Sequence, residues 1–308
     1  MRLRCNARST RYMSSKPNEA DFLPGGSILR GMVKAPRLYV GKIDTELDLY
    51  QTPMGDVAAV TIADSQKPGP NEDSAAIIPV DDSHLVLLVA DGVGGLNGAR
   101  QASNLVASAI RDSLASIDDI PGRGLRTAIM DGIETANRLI LQSSGNGAST
   151  LALAEIGPGY VRSYHVGDSI FLLCGQRGRI KAQTVPHSPV GFAMEAGLLN
   201  EKEAINHDEL NLIFNVLGSA DMSIEVGSEQ PMAAHDTLLL ASDGLTDNLL
   251  VDEIVSAIRK GPLDAAVRRL TVAAQDRMQT ARPGKPSKPD DYTALIYRRS
   301  HRTRKAGA

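Results

Sequence analysis

Twice in this chain an apolar run ends on an aspartate that is followed at once by glycine. Leu85-Val-Leu-Leu-Val-Ala90 runs into Asp91-Gly-Val-Gly-Gly95, and Thr237-Leu-Leu-Leu-Ala-Ser242 runs into Asp243-Gly-Leu-Thr-Asp247. Short runs of this kind, bounded by Gly and Asp, read as buried strands, so each acid is delivered to the rim of a sheet. One Asp can cap a helix, and one Gly can permit a positive φ. Three glycines in the four positions after Asp91 exceed what a cap needs. They predict a turn in which the Gly92 carbonyl faces inward beside the Asp91 carboxylate, a pair of oxygens suited to a hard cation.

The same texture extends along the chain. Val57 to Ile62, Thr150 to Ile156, Val161 to Val166, Ile170 to Cys174 and Thr293 to Tyr297 are further strand-like runs. Helical spacing appears at Ala99 to Leu114, Leu125 to Gln142, Asp252 to Arg259 and Leu263 to Thr280. Strands cluster in runs instead of alternating with helices, which predicts an α+β layering over a doubly wound parallel sheet. With 308 residues and 42% hydrophobic content the chain can build a core. No apolar window reaches the length of a membrane-spanning helix. The lack of Trp and an aromatic share of 4% argue against a binder that stacks bases.

Charge is unevenly spread. Residues 1–37 carry eight Lys/Arg against two acids and residues 298–308 carry five against none, leaving twenty against thirty-four in between. An acidic body with basic ends lacks a nucleic-acid footprint and suits the collection of divalent cations. Residues 1–37 read as a basic, disordered leader, with an organellar transit peptide as the alternative, and 299–308 as a basic tail. Three more acidic turns abut apolar runs: Asn71-Glu72-Asp73, Gly167-Asp168-Ser169 and Asp290-Asp291-Tyr292. Taken singly, the first and last read as solvated turns and the second as a hairpin turn. Taken together, five acidic turns without a zinc-like His or Cys spacing point to all-oxygen ligation of Mg²⁺ or Mn²⁺. The two cysteines, Cys5 and Cys174, lie 169 positions apart, and their sparseness favours a reducing compartment.

In this order the motifs Asn71-Glu-Asp-Ser74, Val89-Ala-Asp-Gly-Val-Gly-Gly95, Gly147-Ala-Ser-Thr150 with Gly167-Asp-Ser169, Ser242-Asp-Gly-Leu-Thr-Asp247 and Asp290-Asp-Tyr-Thr293 resemble the metal-dependent serine/threonine protein phosphatases of type 2C. The likeness covers about residues 55–298. It implies a four-layer α-β-β-α sandwich, two antiparallel sheets face to face with helices on both outer faces. The catalytic domain then spans 38–298, with a variable flap at about 187–222.

It further implies that Asp91 bridges two metal ions, Gly92 adds its carbonyl, and Asp73, Asp243 and Asp290 complete the ligand set. Asp73, Asp91 and Asp243 are the catalytic acids. Asp168 and Asp247 match the pair that holds a third ion, and Glu72 and Asp291 stand behind the ligands. The implied reaction is direct hydrolysis of phosphoserine or phosphothreonine by a water or hydroxide bridging two ions, which lower its pKa and neutralise phosphoryl oxygens.

This chain departs from the pattern where the family often has a phosphate-gripping Arg, four residues before Glu72. Pro68 stands there with Lys67 beside it, and Lys67 is the expected partial substitute, a point charge without the bidentate fork. Val93 replaces a His found in many eukaryotic members, and Asp291 replaces the usual Asn. The alternatives are a pseudophosphatase that docks phosphoproteins without turnover, supported by Pro68, and an enzyme for a different phosphate ester. Expected partners are phosphorylated proteins, not nucleic acid or membrane. The expected state is a cytoplasmic monomer, with an organelle as the minority location.

Overall fold

A computed structural model describes residues 29–41, 46–67, 69–94, 98–117, 123–205, 207–209 and 212–299. Among these residues the strands form two seven-stranded sheets and one short ribbon. The first sheet takes, in spatial order, β1 (Leu29–Met32), β3 (Glu46–Gln51), β4 (Gly55–Ile62), β16 (Tyr292–Arg299), β15 (Thr237–Ala241), β11 (Ile170–Cys174) and β12 (Ile180–Gln183). The second takes β13 (Glu225–Val226), β10 (Tyr160–Val166), β9 (Leu151–Gly157), β6 (Leu85–Ala90), β5 (Ser74–Pro79) and β2 (Arg37–Val40), with β14 (Gln230–Pro231) also on β10. The ribbon pairs β7 (Gly92–Val93) with β8 (Ala148–Ser149). Pairing is antiparallel except between β1 and β3.

Three apolar cores separate four layers. Val57, Leu87, Phe171, Leu240 and Leu295 pack between the sheets. Helices α1 (Gly98–Ala115) and α2 (Arg123–Gln142) cover the second sheet, setting Val106, Ile110, Ile129 and Ile133 on Val86, Leu88 and Leu153. Helices α6 (Val251–Ile258) and α7 (Leu263–Gln279) cover the first, with Ile254, Ile258 and Leu270 on Leu172, Leu239 and Ile296. Central strands are thus covered on both faces. That explains why β6 and β15 are apolar runs without alternation, each buried throughout. The α-β-β-α sandwich implied by the sequence motifs is the observed fold.

Antiparallel register carries the acids to one rim. Ser74 pairs with Ala90, so the residues before β5 and after β6 are neighbours. Ala241 pairs with both Ala294 and Ile170, which brings together the end of β15 and the starts of β16 and β11. Val166 pairs with Leu151, placing the end of β10 beside the start of β9. Five turns scattered across more than two hundred residues therefore meet at one edge of the sandwich.

Two sequence expectations change. The leader read over 1–37 ends earlier, because Leu29–Met32 pairs with β3, Arg37 opens β2 and Val33 is buried between them. These strands are short and flanked by Lys, Arg and Pro, so their periodicity was masked by composition. Residues 1–28 and 300–308 lie outside the described residues. Gly167-Asp168-Ser169 is not a hairpin turn, since β10 and β11 belong to different sheets and the turn crosses between them. A sheet-to-sheet crossing and a hairpin carry the same local turn signal.

Candidate metal centre

Each acid is held by its own local device. Asn71 Oδ1 accepts from the Asp73 amide at 2.8 Å, and its Nδ2 donates to Thr61 Oγ1 at 2.8 Å, fixing the turn before β5. Ser242 donates to Asp73 Oδ2 at 2.7 Å while accepting from the Thr293 amide, so one hydroxyl ties the two sheets together. The Asp91 backbone is clamped on both sides. Its amide donates to Thr150 Oγ1 at 3.0 Å, and its carbonyl accepts from the Thr150 amide at 2.9 Å and from Ser149 Oγ at 3.0 Å. Ser169 Oγ in turn lies 2.6 Å from Thr150 Oγ1. The Gly147–Thr150 and Gly167–Ser169 motifs thus brace the Asp91 turn.

Two glycines set the distance between the turns. A Cβ on Gly92 would stand 2.4 Å from the Ala99 carbonyl oxygen and 2.8 Å from that of Glu72. A Cβ on Gly244 would meet the Asp291 carbonyl oxygen at 1.9 Å. Only glycine lets the Asp243 turn, which opens the one-turn helix α5 (Asp243–Thr246), lie against the strand start that bears Asp290.

Carboxylate crowding defines the electrostatics. Burial pushes the Asp73 carboxyl up to about 7. Burial, and then the charges of Asp243, Asp73 and Asp168, raise Asp91 well above the carboxylate range. Asp168 is raised in the same direction by burial, Asp243 and Asp247. Asp247 is pushed up to about 6 by burial and Asp243, against the pull of Lys288. Asp290 goes the other way. Burial would raise it, but the hydrogen bond from Lys67 and the charge of Lys288 outweigh that, and its carboxyl lies below the usual range.

Buried carboxylates stacked like this require cations. Asp73 Oδ1 and Asp168 Oδ1 are buried without a hydrogen-bond partner. Native proteins seldom leave such atoms orphaned, and two in one acidic rim fit a divalent cation bound by hard oxygen donors.

Among the other sequence-predicted residues, Lys67 reaches the rim and lies 2.8 Å from Asp290 Oδ1 and 3.5 Å from Glu72 Oε2. Asp291 does not point at the acids; its two oxygens accept from the Asp64 and Glu72 amides, each at 2.8 Å, and pin the preceding loop. Pro68 and Gly95 lie outside the described residues. Sequence reasoning missed Ser242, Thr61 and Lys288, each of which makes a contact more than 40 positions away, the longest 232. It also found no His cluster, yet His165, His187 and Glu225 meet beside the flap, the two rings 4.5 Å apart. His187 Nδ1 accepts from the Gly167 amide at 3.1 Å, so its proton sits on Nε2 and faces Glu225 Oε2 at 3.1 Å. That tautomer offers no lone pair there to a metal. The contact fastens the start of the flap to the second sheet.

The protein phosphatase 2C family model matches residues 64–280, and this chain belongs to that family. Serine/threonine phosphatase stp of Listeria welshimeri is 29% identical over 185 residues, covering 58% of this chain and 73% of that protein. Among solved structures, the serine/threonine phosphatase of S. agalactiae superposes with a TM-score of 0.68 at 25% identity, over 79% of this chain and 99% of that one. The catalytic domain of PstP in complex with two manganese ions superposes at 0.62 and 22% identity, over 79% of this chain and 97% of that one. The chain is a protein serine/threonine phosphatase, a phosphoric monoester hydrolase that acts on phosphoproteins.

Proposed function

We propose that the rim built from Asp73, Asp91, the Gly92 carbonyl, Asp243 and Asp290 holds two Mn²⁺ or Mg²⁺ ions and hydrolyses phosphoserine and phosphothreonine in proteins without a covalent enzyme intermediate. The orphaned buried oxygen Asp73 Oδ1, among carboxylates that burial and mutual charge push upward, carries this reading. The ions, when bound, supply activation of water and neutralisation of phosphoryl charge.

The chain's own residues do the rest. Asp91, clamped through Ser149 and Thr150 and under the charges of both Asp243 and Asp73, would hold the ions together with those acids. Ser242 keeps Asp73 Oδ2 occupied and so aims Oδ1 at the cation. Lys67, exposed on one side and fixed to Asp290 on the other, is placed to meet a phosphate dianion at the mouth of the rim. Glu72 and Asp291 hold the loop that carries it. No Ser, Cys or His among these residues is arranged as a nucleophile–base pair, which leaves water as the attacking group.

The flap supplies the protein-facing surface. Helix α3 (Pro189–Glu195), capped by Ser188, and the four-residue α4 (Glu201–Ala204) stand over a cavity of about 150 Å³ whose lining includes Asp168, Asp243, Asp247, Val190 and Met194. Phe192 and Phe214 stack 5.1 Å apart on its outside, 49% and 56% exposed. An apolar patch beside an anionic-ester site fits a protein substrate better than a small phosphate. The acidic body repels nucleic acid, and no helix among the described residues is long and apolar enough to cross a membrane. A catalytic domain that includes the strands from Leu29 to Arg299, working as a cytoplasmic monomer, completes the proposal.

The test is to strip the protein with chelator and assay a phosphothreonine peptide with Mn²⁺ or Mg²⁺ restored. Turnover that returns with metal and is lost in both Asp91→Ala and Asp243→Ala supports the reading. Folded, metal-loaded protein without turnover would assign it to a phosphoprotein-docking role.

A further inference from the structure

The half of the rim made by the first sheet carries its own cation. Lys288 Nζ lies 2.9 Å from Asp247 Oδ2, 3.0 Å from Asp243 Oδ2 and 3.2 Å from Asp290 Oδ2. One ammonium group therefore meets three of the acids, each through a single oxygen. An ammonium with three donors is satisfied by three acceptors in this way, without a fourth partner.

The placement is built, not that of a surface lysine settling on nearby charge. The Lys288 amide donates to Asn248 Oδ1 at 2.9 Å, and its carbonyl accepts from Asn248 Nδ2 at 2.8 Å. The same Nδ2 donates to the Gly244 carbonyl at 2.9 Å. Asn248 is fully buried. A single buried amide thus locks the Lys288 backbone to the turn that carries Asp243 and Asp247, and the ammonium is delivered to those acids from a fixed base. Exposed ion pairs gain little because two long side chains must be ordered, whereas here the acids are short and the lysine backbone is held.

We infer that Lys288 is a tethered cation holding Asp247, one of the two acids to which the sequence motifs assign a third metal ion, so that this phosphatase works with two bound ions and one ammonium. The inference rests on the two-ion reading above and deepens it. Asp168 and Asp247 face the same cavity, but Asp247 Oδ2 already has its counter-charge. A third divalent ion would have to displace an ammonium that three carboxylates hold and that Asn248 keeps from swinging away. Like charges at that separation repel, which lowers affinity for a third ion; Lys288 holds one oxygen each of Asp243 and Asp290, and the first two ions keep Asp73, Asp91 and the Asp243 oxygen that Lys288 does not touch.

The role is one of positioning and charge, so its readout is metal stoichiometry, not turnover. Mn²⁺ bound per chain is measured by calorimetric titration and by elemental analysis after equilibrium dialysis. The proteins are the full chain and its Lys288→Gln and Lys288→Arg variants. The expected result is two Mn²⁺ for the unmodified protein, a third for Lys288→Gln with at least a tenfold gain in affinity at that position, and a return to two for Lys288→Arg. Adding Asp247→Asn to Lys288→Gln removes the third ion. Three Mn²⁺ bound by the unmodified protein would overturn the assignment, and that arm needs no variant to fold. Two Mn²⁺ throughout would overturn it while leaving the two-ion reading intact. No Mn²⁺ in any of the proteins would overturn both.

Discussion

The Asp91 turn and the Asp243 turn begin from the same grammar, a buried strand pouring into Asp-Gly, and end in different electrostatic states. Around Asp91, in the second-sheet half of the rim, the described residues set hydroxyls and amides, and no basic side chain, against Asp73 and Asp91. Asp73 is pushed upward by burial and the charges of Asp291 and Asp243, Asp91 by burial and the charges of Asp243 and Asp73, and an oxygen of Asp73 is left orphaned. Around Asp243, the first-sheet half has Lys288 on three acids and Lys67 on Asp290, whose carboxyl is drawn below the usual range. One half demands external cations and the other brings part of its own. The contrast teaches that an acidic motif gives the position of a carboxylate but not what balances it. The balance comes from residues far away in sequence.

The comparison is broken most forcefully at Asp91. Asp91→Asn removes the charge shared by both halves, and turnover is expected to fall by about 10³-fold, the scale on which loss of a preorganised electrostatic group acts. Calorimetry should show Mn²⁺ uptake lost as well. Uptake retained with full activity would remove Asp91 from the centre.

Gly244→Ala disturbs the first-sheet half alone, pushing the Asp243 turn away from the strand start that bears Asp290, because its Cβ would meet the Asp291 carbonyl oxygen. Overpacking of this kind costs about 1–3 kcal/mol, and a lower midpoint in denaturant together with weaker metal binding is expected. An unchanged midpoint would mean that the turn relaxes freely.

The two halves can also be separated by pH in metal-stripped protein. Asp247 and Asp73 have folded values near 6 and 7, above those of an unfolded chain, so the folded state binds more protons in that window. Stability is then greatest below the unfolded carboxylate range and falls as pH rises through about 6 to 7. Thermal melts in chelator should therefore show a lower midpoint at pH 8 than at pH 5, and saturating Mn²⁺ should flatten the difference. A midpoint that rises with pH in chelator would contradict the crowding.

The smallest expected effect is at Lys67, which is 46% exposed at its side chain. Lys67→Ala should raise KM for a phosphopeptide a few-fold, about 1 kcal/mol or less, with kcat nearly unchanged. An unchanged KM would remove it from phosphate binding.

Much of this was legible in the sequence, for reasons tied to particular residues. Asp73, Asp91, Asp168, Asp243 and Asp290 each sit within two residues of an apolar strand, so local pattern located them. The central strands and the four long helices were likewise visible, because continuous or 3.6-period hydrophobicity survives averaging over a window. What stayed hidden was long-range or weakly periodic. Strands β1 and β2 lie in a basic stretch, and β3 and β12 are edge or near-edge strands with polar residues between the apolar ones. The crossover at Asp168 looks local but is decided by which sheet β11 joins. The clamps by Ser242, Thr150 and Asn248 depend on register across the sandwich, and a hydroxyl or amide in a motif carries no sign of its distant partner. Lys288, two residues before Asp290, was in plain view, but only the fold turns its side chain onto three acids.

Anomalous scattering from crystals of the full chain grown with Mn²⁺ tests the account most directly. It predicts two strong peaks about 3.5–4 Å apart at the rim. Asp91 would lie between them, with Asp73 Oδ1 on one and the Lys288 ammonium still against Asp247. Peaks at His165, His187 and Glu225 with none among the acids, or a third peak in place of the ammonium, would contradict it.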